Sequence, residues 1–418
     1  MPRLSERASV RFLKYAYLMK TFVVALRSLT CLLLLALALI GVLRLDFRQP
    51  FIGYGLGGAF LLFLSAGQGR ARIAFVSALG AAFAVAIVWG HFEDTPTLLV
   101  QITGALGLAS LLLLGCFVVW RGREREPAAY RALLPGAALT FMILAAMYSL
   151  NMASLLHAKT LDLYAYAFDG CLGFQPSFEL GRIMYARPWV FTLVKMTYEG
   201  IVIAMAAVYA GYMPRRTKPI WELIEMLFAP AIVGYLFFSV FPVCGPRYAF
   251  SSYFPQSYLP SSALPRLILE RIPVPIMFPR NGVPSLHLTW ALMIWLNTRG
   301  LPRWARAAAL ALVLATAFDT LATGEHYLFD LVVALPFTLS MQACLVRTVS
   351  FCRRERWRPA LAGALLFLAW LAIGRFGFHW MVSSRLLTWS LVAASSAGSL
   401  YWAIRLPAMI PEMETAGR

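Results

Sequence analysis

Charge is scarce in this chain. Only 13% of its 418 residues are Asp, Glu, Lys or Arg, against 60% that are hydrophobic. A water-soluble domain cannot cover that much apolar surface, so a soluble enzyme or scaffold is excluded and a polytopic membrane protein is indicated. Acidic residues are the scarcer sign, 19 against 37 Lys and Arg, for a formal net charge of +18. That surplus does not point to nucleic acid, because the basic residues are spread through short loops between apolar runs, as membrane orientation requires. Cysteine is limited to six, with no C-x-x-C pair and no metal-ligand spacing. Histidine is limited to His91, His157, His287, His326 and His379. No two of them lie three or four apart, so a helical zinc site is not expected, and neither is any other tightly bound metal or cofactor.

Long apolar runs are what the chain has in quantity. A span needs roughly 20 apolar residues. Twelve stretches qualify as candidates: 21–43, 50–67, 72–91, 97–120, 132–155, 188–212, 221–243, 284–299, 303–323, 326–346, 359–377 and 386–405. The shortest are 50–67 and 284–299. The expected fold is all-α, a multi-pass protein of about 10–12 transmembrane helices. Ala36-Leu-Ala38 is a weak signal-peptide cleavage cue, but a retained first span is preferred because the run is long enough to cross.

Alternating the loops from side to side divides the basic residues unevenly. The side holding the N-terminus receives 24 of the 37 Lys and Arg, including Arg121, Arg123 and Arg125, Arg215, Arg216 and Lys218, and Arg353, Arg354, Arg356 and Arg358. The other side receives 11, while Arg27 and Lys195 lie within spans. This bias predicts that both termini are cytoplasmic. It also puts Arg247, His287, His326 and Asp330 on the same, extracytoplasmic side, so polar elements far apart in sequence can meet. Two long loops share that side, about 156–187 and 244–283. The second carries Pro246, Tyr248, Phe250, Tyr253, Phe254, Pro255, Tyr258 and Pro260, and reads as a lid or lipid-facing loop or as a plain proline-rich connector.

His326 and Asp330 stand at i and i+4 where an apolar run begins, and so share a helix face. A carboxylate on one imidazole nitrogen fixes the tautomer and leaves the other nitrogen free to attack phosphorus. His287, in Pro284-Ser285-Leu286-His287, also opens an apolar run. Proline and a small hydroxyl residue suit a helix N-terminus, whose amides can bind phosphate. His287 is then the candidate general acid on the leaving oxygen. Arg247 and Arg280 are candidate phosphate ligands, because a guanidinium matches phosphate oxygens.

Lesser features remain. Lys195 and Glu199, at i and i+4 inside the sixth span, read as a structural ion pair. Asp319 either edges the site or is a helix-end polar residue. Asp162 and Asp169 are candidates to neighbour the site, although carboxylates in loops are usually solvated. Cys171 and Cys244 fall on the outer side and could pair if that compartment is oxidising.

Taken together, Gly-Pro-Arg247, then Pro284-Ser285-Leu286-His287 followed by Leu-Thr-Trp-Ala-Leu, then Thr323-Gly-Glu-His326-Tyr and Asp330, resemble the type-2 phosphatidic acid phosphatase superfamily. Within it they are similar to the branch that includes inositol phosphorylceramide synthase. The resemblance covers roughly 132–346. It implies a six-helix phosphatase/phosphotransferase core, a phosphohistidine intermediate and no metal requirement. It implies His326 as nucleophile, Asp330 as its orienter, His287 as acid–base and Arg247 as phosphate ligand. It is imperfect. Leu286 stands where the broader superfamily has glycine, Thr320 where it has arginine and Val240 where it has lysine. Ser285, Thr320, Thr323 and main-chain N–H groups are the candidates to fill in around the phosphate.

The expected organisation is therefore a membrane module of about four helices over 1–125, a catalytic core over 126–346, and two helices with a cytoplasmic tail over 347–418. The expected substrate is a membrane lipid phosphate, with an alcohol such as inositol as a possible acceptor. Hydrolysis and transfer both stay open. A lipid transporter and a non-catalytic binding protein are the alternatives. A transporter usually shows polar residues at the bilayer midplane or related halves, and neither is evident here.

Overall fold

The computed structural model describes residues 19, 21–38, 50–91, 95–215, 221–260 and 269–407. The basic N-terminal stretch, residues 39–43 of the first expected span, Arg216, Lys218 and the tail from 408 lie outside the described residues. The chain is helical nearly throughout and divides into two compact units.

The first unit comprises residues 1–140 and 213–219. It contains α1 (Thr21–Ala38), α2 (Pro50–Ser65), α3 (Arg70–His91), α4 (Thr95–Arg121) and the beginning of α5 (Pro127–Leu156). Helices α2 and α3 both pack on α4. Lipid is as apolar as these side chains, so helices associate through close packing rather than through exclusion of water. Gly107 illustrates this: a Cβ there would lie 1.9 Å from the Leu56 carbonyl oxygen. Only glycine lets α2 and α4 approach so closely. Glu126, just before α5, is buried and receives Arg72 at 2.8 Å and Arg121 at 2.9 Å.

The second unit comprises residues 141–212 and 220–418. After the rest of α5 come β1 (Lys159–Thr160), α6 (Asp162–Cys171), α7 (Pro176–Tyr185), α8 (Pro188–Glu199) and α9 (Ile201–Tyr212). Then follow α10 (Trp221–Val240), α11 (Pro246–Ala249), β2 (Ile272–Pro273), α12 (Leu286–Leu296), α13 (Arg303–Ala322), α14 (Leu328–Leu345), α15 (Arg354–Phe376), α16 (Phe378–Ser383) and α17 (Arg385–Arg405). Helix α14 is the hub, with α6, α10, α12, α15 and α17 packed around it. The helices expected beyond the catalytic core, α15 and α17, are thus part of the same compact unit.

Among the described residues, seven helices are long and apolar enough to cross a membrane: α1, α3, α4, α5, α13, α14 and α15. Together with the all-helical architecture this makes the protein an all-α polytopic membrane protein. The remaining expected spans differ for local reasons. The stretch 188–212 is two helices bent by 53° at a break, where Gly200 ends α8. The stretches 50–67, 221–243 and 284–299 contain shorter apolar helices. The stretch 386–405 forms α17, whose Thr388, Ser390, Ser395, Ser396 and Ser399 dilute its apolar character.

The two long outer loops are not loose. Residues 156–187 fold into β1, α6 and α7. β1 pairs antiparallel with β2, with Lys159 opposite Pro273 and Thr160 opposite Ile272. Phe250 and Phe254 of the second loop are buried, whereas Tyr258 stays exposed. Phe250 packs edge-on to Tyr166 at 5.5 Å, and Phe254 edge-on to Phe178 at 5.3 Å. Tyr258 bonds to Glu179 of α7 and accepts from Arg182 at 2.7 Å.

Candidate active site

His326 lies in the short connection between α13 and α14, and is 1% exposed. Its main-chain N–H donates to the Thr320 carbonyl at 3.0 Å, and its carbonyl accepts from Ser177 Oγ at 2.7 Å. The residue is thus held from both sides before its ring does anything. The ring Nδ1 sits 3.0 Å from Asp330 Oδ2, and Nε2 sits 3.4 Å from Ser285 Oγ. A carboxylate can only accept, so Nδ1 carries the proton and Nε2 keeps the lone pair. Asp330 Oδ2 also accepts the Tyr327 main-chain N–H at 3.0 Å, which locks its rotamer at the first turn of α14.

Ser285 caps α12. Its Oγ accepts from Leu288 N at 3.5 Å, and its own N–H reaches the Asp330 carbonyl at 3.4 Å. The starts of α12 and α14 are therefore joined side by side, and Nε2 of His326 faces the N-terminus of α12. That terminus carries the positive end of the helix dipole. His287, in the first turn of α12, is partly exposed, and its ring stacks on Tyr198 at 3.7 Å. Trp290 meets it edge-on at 5.9 Å. The two histidines are within electrostatic reach of each other.

Arg247 is brought to the same place by its backbone. Its N–H donates to the Gly324 carbonyl at 3.1 Å, two residues from His326. Gly245 and Gly324 make this approach possible. Both have positive φ, 93° and 74°. A Cβ on Gly245 would lie 2.4 Å from the Glu325 carbonyl oxygen, and one on Gly324 would lie 2.9 Å from Arg247 Cβ. The Arg247 guanidinium is 3.5 Å from Glu325 Oε1, which also accepts from Tyr248 Oη at 2.8 Å. Burial pushes the Glu325 carboxyl up, against the lowering effect of Tyr248 and Arg247. Arg247 remains 43% exposed, an accessible cation at this end of the fold.

Other expected ligands behave differently. Arg280 is 0% exposed and donates to the main-chain carbonyls of His157, Pro275, Phe278 and Val274. Its guanidinium is the clamp of the 274–278 turn, so the expectation that it binds phosphate is corrected: its donors face protein carbonyls. Thr323 ends α13, and its hydroxyl donates to the Asp319 carbonyl at 2.7 Å. Thr320 donates in the same way to Ala317 at 3.1 Å. Neither hydroxyl proton points to an incoming oxyanion in this arrangement. Lys195 and Glu199 stand 3.8 Å apart as the expected ion pair. Asp319 is fully buried, close to Glu199 and to the Tyr198 main chain.

Cys171 and Cys244 are both buried and both free, so the disulfide considered from sequence is not formed. The Cys244 thiol instead lies 3.3 Å from Asp162 Oδ2. Burial raises the Cys244 thiol well above its ordinary range, and burial with the Asp169 charge pushes Cys171 up to about 12. Both thiols therefore stay protonated.

The sequence reading undervalued α6. Asp162 accepts the main-chain N–H groups of Cys244 and Gly245 and the Tyr327 hydroxyl, at 3.2, 2.9 and 3.1 Å. Asp169 accepts from Leu328 N at 2.9 Å and Phe329 N at 3.0 Å. Both carboxylates are 0% exposed, and burial raises the pKa of each against these hydrogen bonds. Their spacing of seven residues, two helical turns, was the available signal that they share a face. Among the described residues, no three His, Cys, Asp or Glu side chains converge as a metal site.

Residues 164–345 match the family model described as the PAP2 superfamily. This similarity covers α7 to α14 in full and most of α6, and includes Arg247, Ser285, His287, His326 and Asp330. It supports a function of the membrane-lipid phosphatase or phosphotransferase type. Neither a curated protein nor a solved structure matches the chain.

Proposed function

We propose that this protein is an integral membrane enzyme that cleaves or transfers a phosphate-linked lipid head group through a phosphohistidine, without a metal. The observation that carries the reading is the Asp330–His326 contact of 3.0 Å, which presents Nε2 toward the start of α12. In the first step Nε2 attacks phosphorus, the ester oxygen departs, and His287 protonates it. Arg247 and the N-terminal amides of α12 offset the charge that develops on the phosphoryl oxygens. In the second step water or an alcohol gives its proton to His287 and displaces His326 from phosphorus.

Transfer to an alcohol such as inositol, in the manner of an inositol phosphorylceramide synthase, is the reading we favour. A phosphate monoester dianion calls for more cations than this site holds, with Thr320 and Val240 where arginine and lysine are expected. Hydrolysis to inorganic phosphate is the alternative. The basic residues favour both termini in the cytoplasm and the site on the extracytoplasmic face. Residues 126–346 are the proposed catalytic core, and the first four helices an accessory membrane module.

The test is turnover of a phospholipid panel by purified protein, with and without inositol. Wild type should consume a substrate, and folded His326→Ala should lose all turnover. Full activity in His326→Ala would sink the mechanism. An inositol-dependent lipid product marks transfer, whereas phosphate release alone marks hydrolysis. Lipid movement with no bond broken would instead identify a transporter.

A further inference from the structure

Asp162 and Asp169 perform no chemistry in the scheme above, yet they are among the most completely buried carboxylates of the chain. Neither has a Lys or Arg within ion-pair distance among the described residues, although Arg280 lies within electrostatic reach of Asp162. Their ligands are main-chain amides, and those amides belong to the two segments that build the site. Asp162 takes the N–H groups of Cys244 and Gly245, with Pro246 between them and Arg247. Asp169 takes those of Leu328 and Phe329, which lie between His326-Tyr327 and Asp330. Asp330 itself takes the N–H of Tyr327, so three consecutive amides at the start of α14 end on carboxylates. The Tyr327 hydroxyl closes the circuit by donating to Asp162.

A buried carboxylate without a counter-ion is costly, and charge-assisted bonds from fixed amides are what offset that cost. Both carboxylates sit on one helix, α6, about 10 Å apart along its axis at 1.5 Å per residue. We infer that α6 is a ruler: Asp162 and Asp169 are positioning residues that set the distance between the Arg247 arm and the His326–Asp330 pair. Asp169 fixes the direction of Nε2 by fixing the first turn of α14. Asp162 fixes the height of the phosphate-holding arginine. Neither touches the reacting atoms.

The two halves of the ruler separate in an experiment. Asparagine keeps size but cannot accept with both ends, because its NH2 group faces a donor. Asp169→Asn should lower kcat on the order of 10²-fold, the cost of misplacing a reacting group by about 1 Å, with KM nearly unchanged. Asp162→Asn should raise KM about tenfold or more with a smaller change in kcat, because it loosens a binding group. Hydrogen–deuterium exchange supplies a readout that needs no turnover. Asp169→Asn should speed exchange at Leu328 and Phe329, and Asp162→Asn at Cys244 and Gly245, each leaving the other pair protected. Asp169→Glu and Tyr327→Phe, milder changes, stand in if either asparagine variant fails to fold.

Unchanged exchange at those amides overturns the ruler. So does an equal loss of kcat and KM performance in both variants, which marks a general structural role. The kinetic arm rests on the proposed phosphoryl transfer, while the exchange arm does not. A wild type inactive on every lipid therefore defeats the function and still leaves the ruler decided.

Discussion

The most deeply buried carboxylates of the two compact units are met differently, although Glu199 of the second unit also pairs with a lysine. In the first, Glu126 is gripped by two arginines, Arg72 and Arg121, that close the ends of apolar helices. In the second, Asp162, Asp169 and Asp330 bind main-chain amides and a histidine. An ion pair tolerates movement, because both side chains can follow each other. A carboxylate on amides does not, because the amides belong to folded backbone. Charge in the first unit secures helix ends, and charge in the second sets coordinates.

Breaking the coordinate-setting charges should have the largest effects. Asp330→Asn leaves His326 free to adopt the wrong tautomer, and kcat should fall by about 10³–10⁴-fold, as for other histidines deprived of their carboxylate. Steady-state kinetics on folded protein measures it, and a loss under tenfold would remove Asp330 from its assigned role. His287→Ala should cost about 10²–10⁴-fold on an alkoxide leaving group. The loss should shrink on a p-nitrophenyl ester, which departs without protonation. An equal loss on both substrates would mean that His287 is not the acid.

Arg247→Ala should raise KM about 10-fold or more, since hydrogen bonds to charged groups are worth roughly 1.5–3 kcal/mol. Orthovanadate inhibition offers an independent reading of the same contact. The converse experiment belongs in the first unit. Gly107→Val drives a side chain into the Leu56 backbone and should destabilise by about 1–3 kcal/mol. Its thermal midpoint in detergent should fall while kcat of the folded fraction stays unchanged. A selective loss of kcat would erase the contrast between the units.

The smallest expected effect is on pH dependence. Burial raises the Asp169 pKa, so the folded state holds that proton more tightly than the unfolded chain does. Between the ordinary aspartate range and the raised folded value, lowering the pH therefore favours the fold through this group. Protonation nevertheless removes one of its two acceptors from the start of α14. Activity should thus fall on the acid side before stability does, and Asp169→Asn should weaken that acid limb, with Asp162 and Glu325, whose pKa values burial also raises, still contributing to it. Following kcat and thermal midpoint across pH in both proteins checks the order of the two losses.

Much of the candidate site was legible without coordinates because its parts are local. His326 and Asp330 are one helical turn apart, and Pro284-Ser285 announces the start of α12. Gly-Pro-Arg247 carries its own turn. The span count was less legible: 188–212 reads as one apolar run, and only the 53° bend between α8 and α9 divides it. Arg280 misled for a simple reason. An arginine beside a histidine motif looks the same whether it meets phosphate or four carbonyls, and burial alone distinguishes the two. From sequence, Asp162 and Asp169 are only candidates to neighbour the site, because they fall in a long outer loop and loop carboxylates are usually solvated. Tertiary packing made the stretch around them a helix and covered it.

The sequence by itself determined the solvent of this protein, its helical architecture and the chemical types at its site. Apolar length, charge bias and residue spacing act along the chain and need no partner. Only the tertiary structure decided which polar groups have donors and acceptors to meet. Hydrogen bonds between residues 159 or 165 positions apart depend on how helices pack, and no spacing rule encodes them. For that reason the proposed nucleophile and Asp330 could be named from their neighbours in sequence, whereas the hydrogen bonds of Asp162 and Asp169 emerged only in three dimensions.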